Sequence, residues 1–126
     1  MTALQDLRVL VVENDEMSAA LLQMQLVQAG ARVVGLAATV AEALCLLAET
    51  SPDVALLDYR LARNETSEPV AAALAARGVP FVLATGMTAE QVPAAMRGGV
   101  LLVKPYLSVD LSRALVRAVD CSNAQA

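Results

Sequence analysis

Five short runs of valine and leucine punctuate the chain: RVLVV (8–12), RVVGL (32–36), VALL (54–57), PFVLA (80–84) and VLLV (100–103). They are nearly continuous rather than alternating, which is the pattern of strands covered on both faces in a parallel sheet. Between them the apolar spacing changes to three and four. Ala19, Leu22, Leu26 and Ala29 mark a first amphipathic helix, stopped by Gly30. A second opens at TVAE, where Thr39 and Glu42 have capping-box spacing, and continues with Val40, Leu44 and Leu47 on one face. A third runs from Ser67 to Arg77, with Pro69 in its first turn and Gly78 after its end. A fourth, short, begins at TAEQ with a second capping box at Thr88, contains Pro93 and ends at Gly98 and Gly99. A fifth spans about 108–119 with Leu111, Leu115 and Ala118 facing inward.

This alternation predicts one α/β domain over residues 1–126, with its core at about 7–119 and a tail at 120–126 that frays. The arrangement it favours is a flavodoxin-like, doubly wound (βα)5 sandwich around a parallel five-stranded sheet of order 2-1-3-4-5. Ligands of such sheets sit beyond the carboxyl ends of the strands, at the switch point between strands 1 and 3. Site residues should therefore follow the strands.

Composition narrows the function. Hydrophobic residues make up 57% of the 126 and aromatics only 2%, so the core must be Ala, Val, Leu and Met packed closely between helix and sheet. Polar residues such as Arg77 break every apolar stretch before the roughly 18–20 residues that a membrane span needs. The start, MTALQDLR, lacks the basic and apolar regions of a secretory signal, and Cys45 and Cys121 form no metal or disulfide pattern, so a cytoplasmic setting is expected. A net charge of −4 without clustered lysines argues against nucleic acid and for a protein partner. Histidine is absent, which excludes imidazole general bases, histidine metal sites and phosphohistidine chemistry within this chain.

The strand ends carry the chemistry. Glu13, Asn14, Asp15 and Glu16 follow the first strand, Asp58 the third, Thr85 the fourth and Lys104 the fifth. Taken singly, an Asp after a strand is most often a turn or cap residue, and a loop Thr or Lys usually meets water. Lys104, however, is the only lysine among nine cations, and it stands at the edge where the others converge. A carboxylate such as Asp58 can attack a phosphoryl group to give an acyl phosphate. Acids after strand 1 can hold Mg²⁺, which takes oxygen ligands and retains waters. Lys104 would pair with one phosphoryl oxygen, and the Thr85 hydroxyl would donate to another.

With VLVVEN at the first strand, VALLDYRL around Asp58, LATG around Thr85 and VKPY around Lys104, the chain resembles the receiver domain of two-component response regulators over about residues 7–119. The resemblance implies a phosphoacceptor rather than a turnover enzyme. Asp58 would be the acceptor, with Lys104 and Thr85 binding the phosphoryl group. Mg²⁺ would be held by Glu13, Asn14, Asp58 and the backbone carbonyl of Arg60. It also implies that the phosphoryl donor is a histidine kinase or phosphotransfer protein, and that the bond before Pro105 is cis. NETSEPVAAALAARGVPFVLATG is further similar to stand-alone alphaproteobacterial receivers of the FATGUY type, which pair with kinases of the HWE or related families, although LATGM lacks that motif's leading Phe and trailing aromatic.

Three departures shape the expectation. Asn14 puts an amide where the family has the second acid, so Mg²⁺ should bind at least tenfold more weakly, or about 1.4 kcal/mol. Asp15 or Glu16 could compensate, or Asn14 and Asp15 could simply cap the first helix. Leu101 stands where many receivers carry an inward-turning aromatic, which moves the read-out elsewhere on the fourth and fifth segments. Arg60 and Met87, two residues after Asp58 and Thr85, would by the same resemblance restrict a hydrolysing water. The leading function is thus a single-domain receiver, phosphorylated on Asp58 and acting through protein partners or as a phosphate sink, with no output segment after residue 119. The alternative is a pseudo-receiver interaction module disabled by Asn14. A flavodoxin-like nucleotide or flavin binder is disfavoured, because the first loop carries acids in place of phosphate-cradling glycines.

Overall fold

The computed structural model describes residues 4–124, and for residues 121–124 the backbone alone. Five strands, β1 (Arg8–Val12), β2 (Arg32–Ala37), β3 (Val54–Asp58), β4 (Phe81–Thr85) and β5 (Val100–Val103), form one parallel sheet of order β2-β1-β3-β4-β5. Four α-helices cover it: α1 (Glu16–Gln28), α2 (Val40–Thr50), α3 (Glu68–Ala76) and α4 (Ser108–Ala124). The flavodoxin-like order read from the sequence is therefore the observed one.

The continuous apolar runs follow from burial on both faces. Side chains alternate along a strand, so Val9, Val11, Val54, Leu56 and Val82 pack with Leu22, Leu26, Leu111 and Leu115 of α1 and α4. Leu10, Val12, Ala55, Leu57 and Leu83 pack on the opposite face with Leu47 of α2 and Leu74 of α3. Register then sets the site, because Val12 lies opposite Leu57, Asp58 opposite Ala84, and Thr85 opposite Val103. All these strands end at one edge.

Several local expectations change. The segment expected as a short fourth helix is instead two 3₁₀ turns, Ala89–Gln91 and Ala94–Met96. Its capping box between Thr88 and Gln91 does form, but Pro93 lacks the N–H and clashes with the preceding turn, so the helix cannot propagate. In α2 the buried face is Ala43 and Leu47, while Leu44 is exposed. Thr39 caps α2 as expected by accepting from the Glu42 amide, yet the Glu42 carboxylate reaches back to the Ala38 amide, one residue beyond the capping-box partner. Helix α1 buries Leu22 and Leu26 but leaves Met17, Leu21, Met24 and Val27 exposed, so its solvent face is not polar. Gly30 turns the chain out of α1 at φ 94, a left-handed conformation that favours glycine. The α4 backbone continues to Ala124 rather than ending near Val119, and residues 125–126 of the tail expected to fray lie outside the described residues.

Gly99 precedes β5 with the Phe81 ring against its α-carbon, leaving no room for a β-carbon. Phe81 is itself buried, so its ring cannot swing away freely. Gly99→Ala is expected to cost about 1–3 kcal/mol by overpacking, measured by denaturant unfolding. An unchanged midpoint would show that Phe81 relocates at little cost.

Candidate functional site

Four of the five strands each deliver one side chain to the carboxyl edge. The Glu13 amide donates to the Ala37 carbonyl at 2.8 Å, which prolongs the β1 ladder and fixes Glu13 just beyond Val12. Asp58 is the last residue of β3 and Thr85 the last of β4, and the Lys104 amide donates to the Thr85 carbonyl at 2.8 Å. The Lys104 ammonium lies 3.3 Å from Asp58 Oδ1 and 3.6 Å from Glu13 Oε2. Their side chains are 35%, 18% and 5% exposed respectively, so this pairing is largely shielded from water. Two carboxylates against one ammonium leave the cluster with a net negative charge.

Glu13 carries the electrostatic tension. Burial raises its pKa, the adjacent Asp58 carboxylate raises it further, and the Asp15 amide and Lys104 pull it back. The Asp15 amide donates to Glu13 Oε1 at 3.1 Å, and the Tyr59 amide donates to Asp58 Oδ1 at 2.9 Å. The buried Thr85 hydroxyl accepts from the Met87 amide at 3.2 Å. Its geometry leaves the O–H proton available for an oxygen placed at this edge.

In the first loop the neighbouring polar side chains take different partners. Asp15 is the N-cap of α1, accepting from the Ser18 amide at 3.1 Å and its hydroxyl at 2.7 Å. Those two bonds hold its carboxyl below the usual range. The Asp15 carboxylate is thus engaged in capping the helix. Asn14 is exposed and, with Glu13 and Glu16, lines an open cleft of about 260 Å³ toward β2 and α2. Arg60 bridges to Thr66, but the ladder bonds run from Leu61 to Glu65 and from Ser67 to Tyr59, which leaves the Arg60 carbonyl outside them. Its guanidinium sits 5.9 Å from the Tyr59 ring centroid. The Lys104–Pro105 bond is cis, as the resemblance implied. Leu101 lies on the α2 and α3 side of the sheet, lining with Leu83 and Met96 a pocket of about 200 Å³ beneath the 3₁₀ turns.

Among the described residues no three His, Cys, Asp or Glu side chains gather into a metal-binding group. The donors at the edge are two carboxylates, an amide and a backbone carbonyl, all hard oxygens. Mg²⁺ commonly uses only one or two carboxylates and keeps several waters, so this set fits the ion with one negative charge fewer than a three-acid site.

Sequence reasoning passed over two tyrosines. The Tyr59 hydroxyl donates to Glu68 at 2.7 Å, and that bond is the main reason its pKa is raised. Tyr106 is half-buried, and burial raises its pKa, with the charges of Glu13 and Asp58 adding to the effect. The chain has only three tyrosine and phenylalanine residues together. Two of them fall within two positions of Asp58 or Lys104, which was the available signal.

A parallel 2-1-3-4-5 sheet whose strand ends gather a lysine-bridged pair of carboxylates defines a receiver-type domain. No protein-family description and no curated protein matches the chain by sequence. Solved structures do. SdrG from Sphingomonas melonis Fr1 is 38% identical at a TM-score of 0.76, covering 94% of this chain and 98% of that one. The signal receiver domain of a modulated diguanylate cyclase from Desulfovibrio desulfuricans G20 is 29% identical at a TM-score of 0.84, covering 96% and 100%. The response regulator PhyR from Brucella abortus shares the fold at 24% identity and a TM-score of 0.83 over 98% of this chain, which spans about half (52%) of that PhyR structure. The chain belongs to the receiver domains of response regulators.

The raised pKa of Glu13 has a consequence for stability. A carboxyl that binds its proton more tightly when folded loses stability as pH rises from its unfolded value of 4.5 through the folded one. Glu13→Gln, which cannot ionise, is expected to raise the thermal midpoint at pH 7 and to lose that advantage near pH 4. An equal gain at both pH values would refute the electrostatic origin. Asp15→Ala is expected to lower the midpoint by loss of the cap while leaving Mg²⁺ affinity unchanged in a titration. Weakened affinity would restore Asp15 as a ligand.

Proposed function

We propose that the protein receives a phosphoryl group on Asp58 from a histidine kinase or phosphotransfer protein and signals by protein–protein interaction or as a phosphate sink. The observation that carries this reading is the Lys104 ammonium 3.3 Å from Asp58 Oδ1, at the end of the central strand and beside Glu13. In the transfer an Asp58 oxygen bonds to phosphorus as the donor's P–N bond breaks, and the electron pair leaves with the imidazole. Lys104 then shifts from the carboxylate to a phosphoryl oxygen, and the Thr85 O–H donates to another. Mg²⁺, held by Glu13, Asp58, the Asn14 amide oxygen and the Arg60 carbonyl, would neutralise charge between the meeting anions. Asn14 weakens that hold without removing the oxygen. A cytoplasmic setting agrees with the free thiol of the exposed Cys45. No helix among the described residues is long and apolar enough to cross a membrane.

A second reading, a pseudo-receiver that binds partners without phosphorylation, rests on Asn14 alone. Incubation with a small phosphodonor and Mg²⁺ separates the two. Wild type should form an acid-stable, base-labile adduct that Asp58→Ala abolishes, and Asn14→Asp should tighten Mg²⁺ about tenfold, or ~1.4 kcal/mol. An adduct on Asn14→Asp but none on wild type supports the pseudo-receiver. Labelling that survives Asp58→Ala places the acceptor elsewhere.

A further inference from the structure

The pocket of about 200 Å³ beneath the 3₁₀ turns has a fixed shape. Leu83 of β4 and Leu101 of β5 form one wall, and Val92 and Met96 from the segment of the two turns form the other. Leu83, Val92 and Met96 are buried, whereas Ala89 and Arg97 at the mouth are exposed. Pro93 keeps the upper wall from winding into one continuous helix. Two contacts then pin that wall in place. The capping box between Thr88 and Gln91 holds the first turn, and Arg97 Nε donates to the Val92 carbonyl at 3.1 Å across the second.

The lining specifies what could enter. Dry apolar cavities of about 150 Å³ take up a single benzene-sized ring, so this one has room for a ring and a small substituent. The Met96 sulfur is polarisable and favours an aromatic neighbour over an aliphatic one. Among the described residues no aromatic side chain lines the pocket, in a chain with one phenylalanine and two tyrosines. The only charged group in the lining is Arg97. Its Nε is engaged with Val92, but among the described residues its two Nη groups have no hydrogen bond and no ion pair. A guanidinium with both Nη groups free can take a carboxylate through two parallel bonds.

We propose that this pocket binds a small aromatic carboxylate, its ring between Leu83, Val92, Met96 and Leu101 and its acid group on Arg97. A short aliphatic acid would meet the guanidinium but leave the apolar walls unfilled. A neutral hydrocarbon would fill the walls and leave the guanidinium unused. Ring and charge together match the lining. None of Glu13, Asp58, Thr85 and Lys104 lines the pocket, so the proposal stands independently of phosphoryl transfer.

The test titrates benzoate, benzamide and acetate into isotope-labelled protein at pH 7 and follows the amides by NMR. Benzoate should shift the Met96, Arg97 and Leu101 amides and reach half-saturation at about 1 mM, in wild type and in Asp58→Ala alike. Acetate should give no saturable shift. Arg97→Gln should weaken benzoate about tenfold while leaving the weaker binding of benzamide unchanged, an outcome that simple loosening of the pocket would not produce. Leu101→Phe, with its folding verified by the dispersion of the same spectrum, should fill the pocket and abolish both. No saturable shift with benzoate at ten times that concentration would overturn the proposal. So would shifts centred away from the 3₁₀ turns, or equal benzoate affinity in Arg97→Gln.

Discussion

Everything at the carboxyl edge depends on Lys104 standing between Glu13 and Asp58, 3.6 and 3.3 Å from their oxygens. Two carboxylates this shielded repel one another, and burying either without a partner costs several kcal/mol. The ammonium supplies the missing charge, and the sheet supplies the ammonium. Because the Lys104 backbone is tied to Thr85 and β5 is tied to β4, the lysine begins from a fixed point and not from a mobile loop. The strands must therefore be in register before the charges can be balanced. The interior of Val and Leu that fixes the register is accordingly part of the electrostatic design.

That coupling explains the distribution of polar groups around the edge. Asp15 is next to the site in sequence yet serves the helix, since its oxygen bonds Ser18. Glu13, two residues earlier, extends the β1 ladder and belongs to the sheet. A difference of one or two positions at a strand-to-helix junction thus decides whether an acid caps a helix or enters the cluster. Asn14 lies between these roles, exposed and without the charge that would deepen the negative potential. The resting cluster needs only one cation's worth of compensation fewer than a three-acid site would, and Lys104 already supplies part of it.

Much of this was legible in the sequence because it depends on one-dimensional patterns. Continuous Val/Leu runs gave the five strands, of which β1, β3 and β4 are buried while the edge strands β2 and β5 are only partly so; their spacing gave the crossovers, and the residues after four of the runs gave Glu13, Asp58, Thr85 and Lys104. The misreadings arose where a local rule met a tertiary one. The Thr88 capping box is real, but Pro93 five residues later halts propagation, so the segment settles into 3₁₀ turns. Leu44 fits the helical period of α2, yet the sheet surface it would pack on is already covered by Ala43 and Leu47. Tyr59 and Tyr106 were missed because their roles depend on partners distant in sequence, Glu68 in one case and the two acids in the other.

The two open edges of the sheet are not equivalent, and the difference is physical. β2 at one edge is tied to β1 across a register slip between Val9 and Leu10, an irregularity of the kind that twists a strand and discourages further pairing. β5 at the other edge shows no such slip against β4, is short, and runs beside the guanidiniums of Arg113 and Arg117. Those charges oppose self-pairing of β5 because identical edges would bring like charges together.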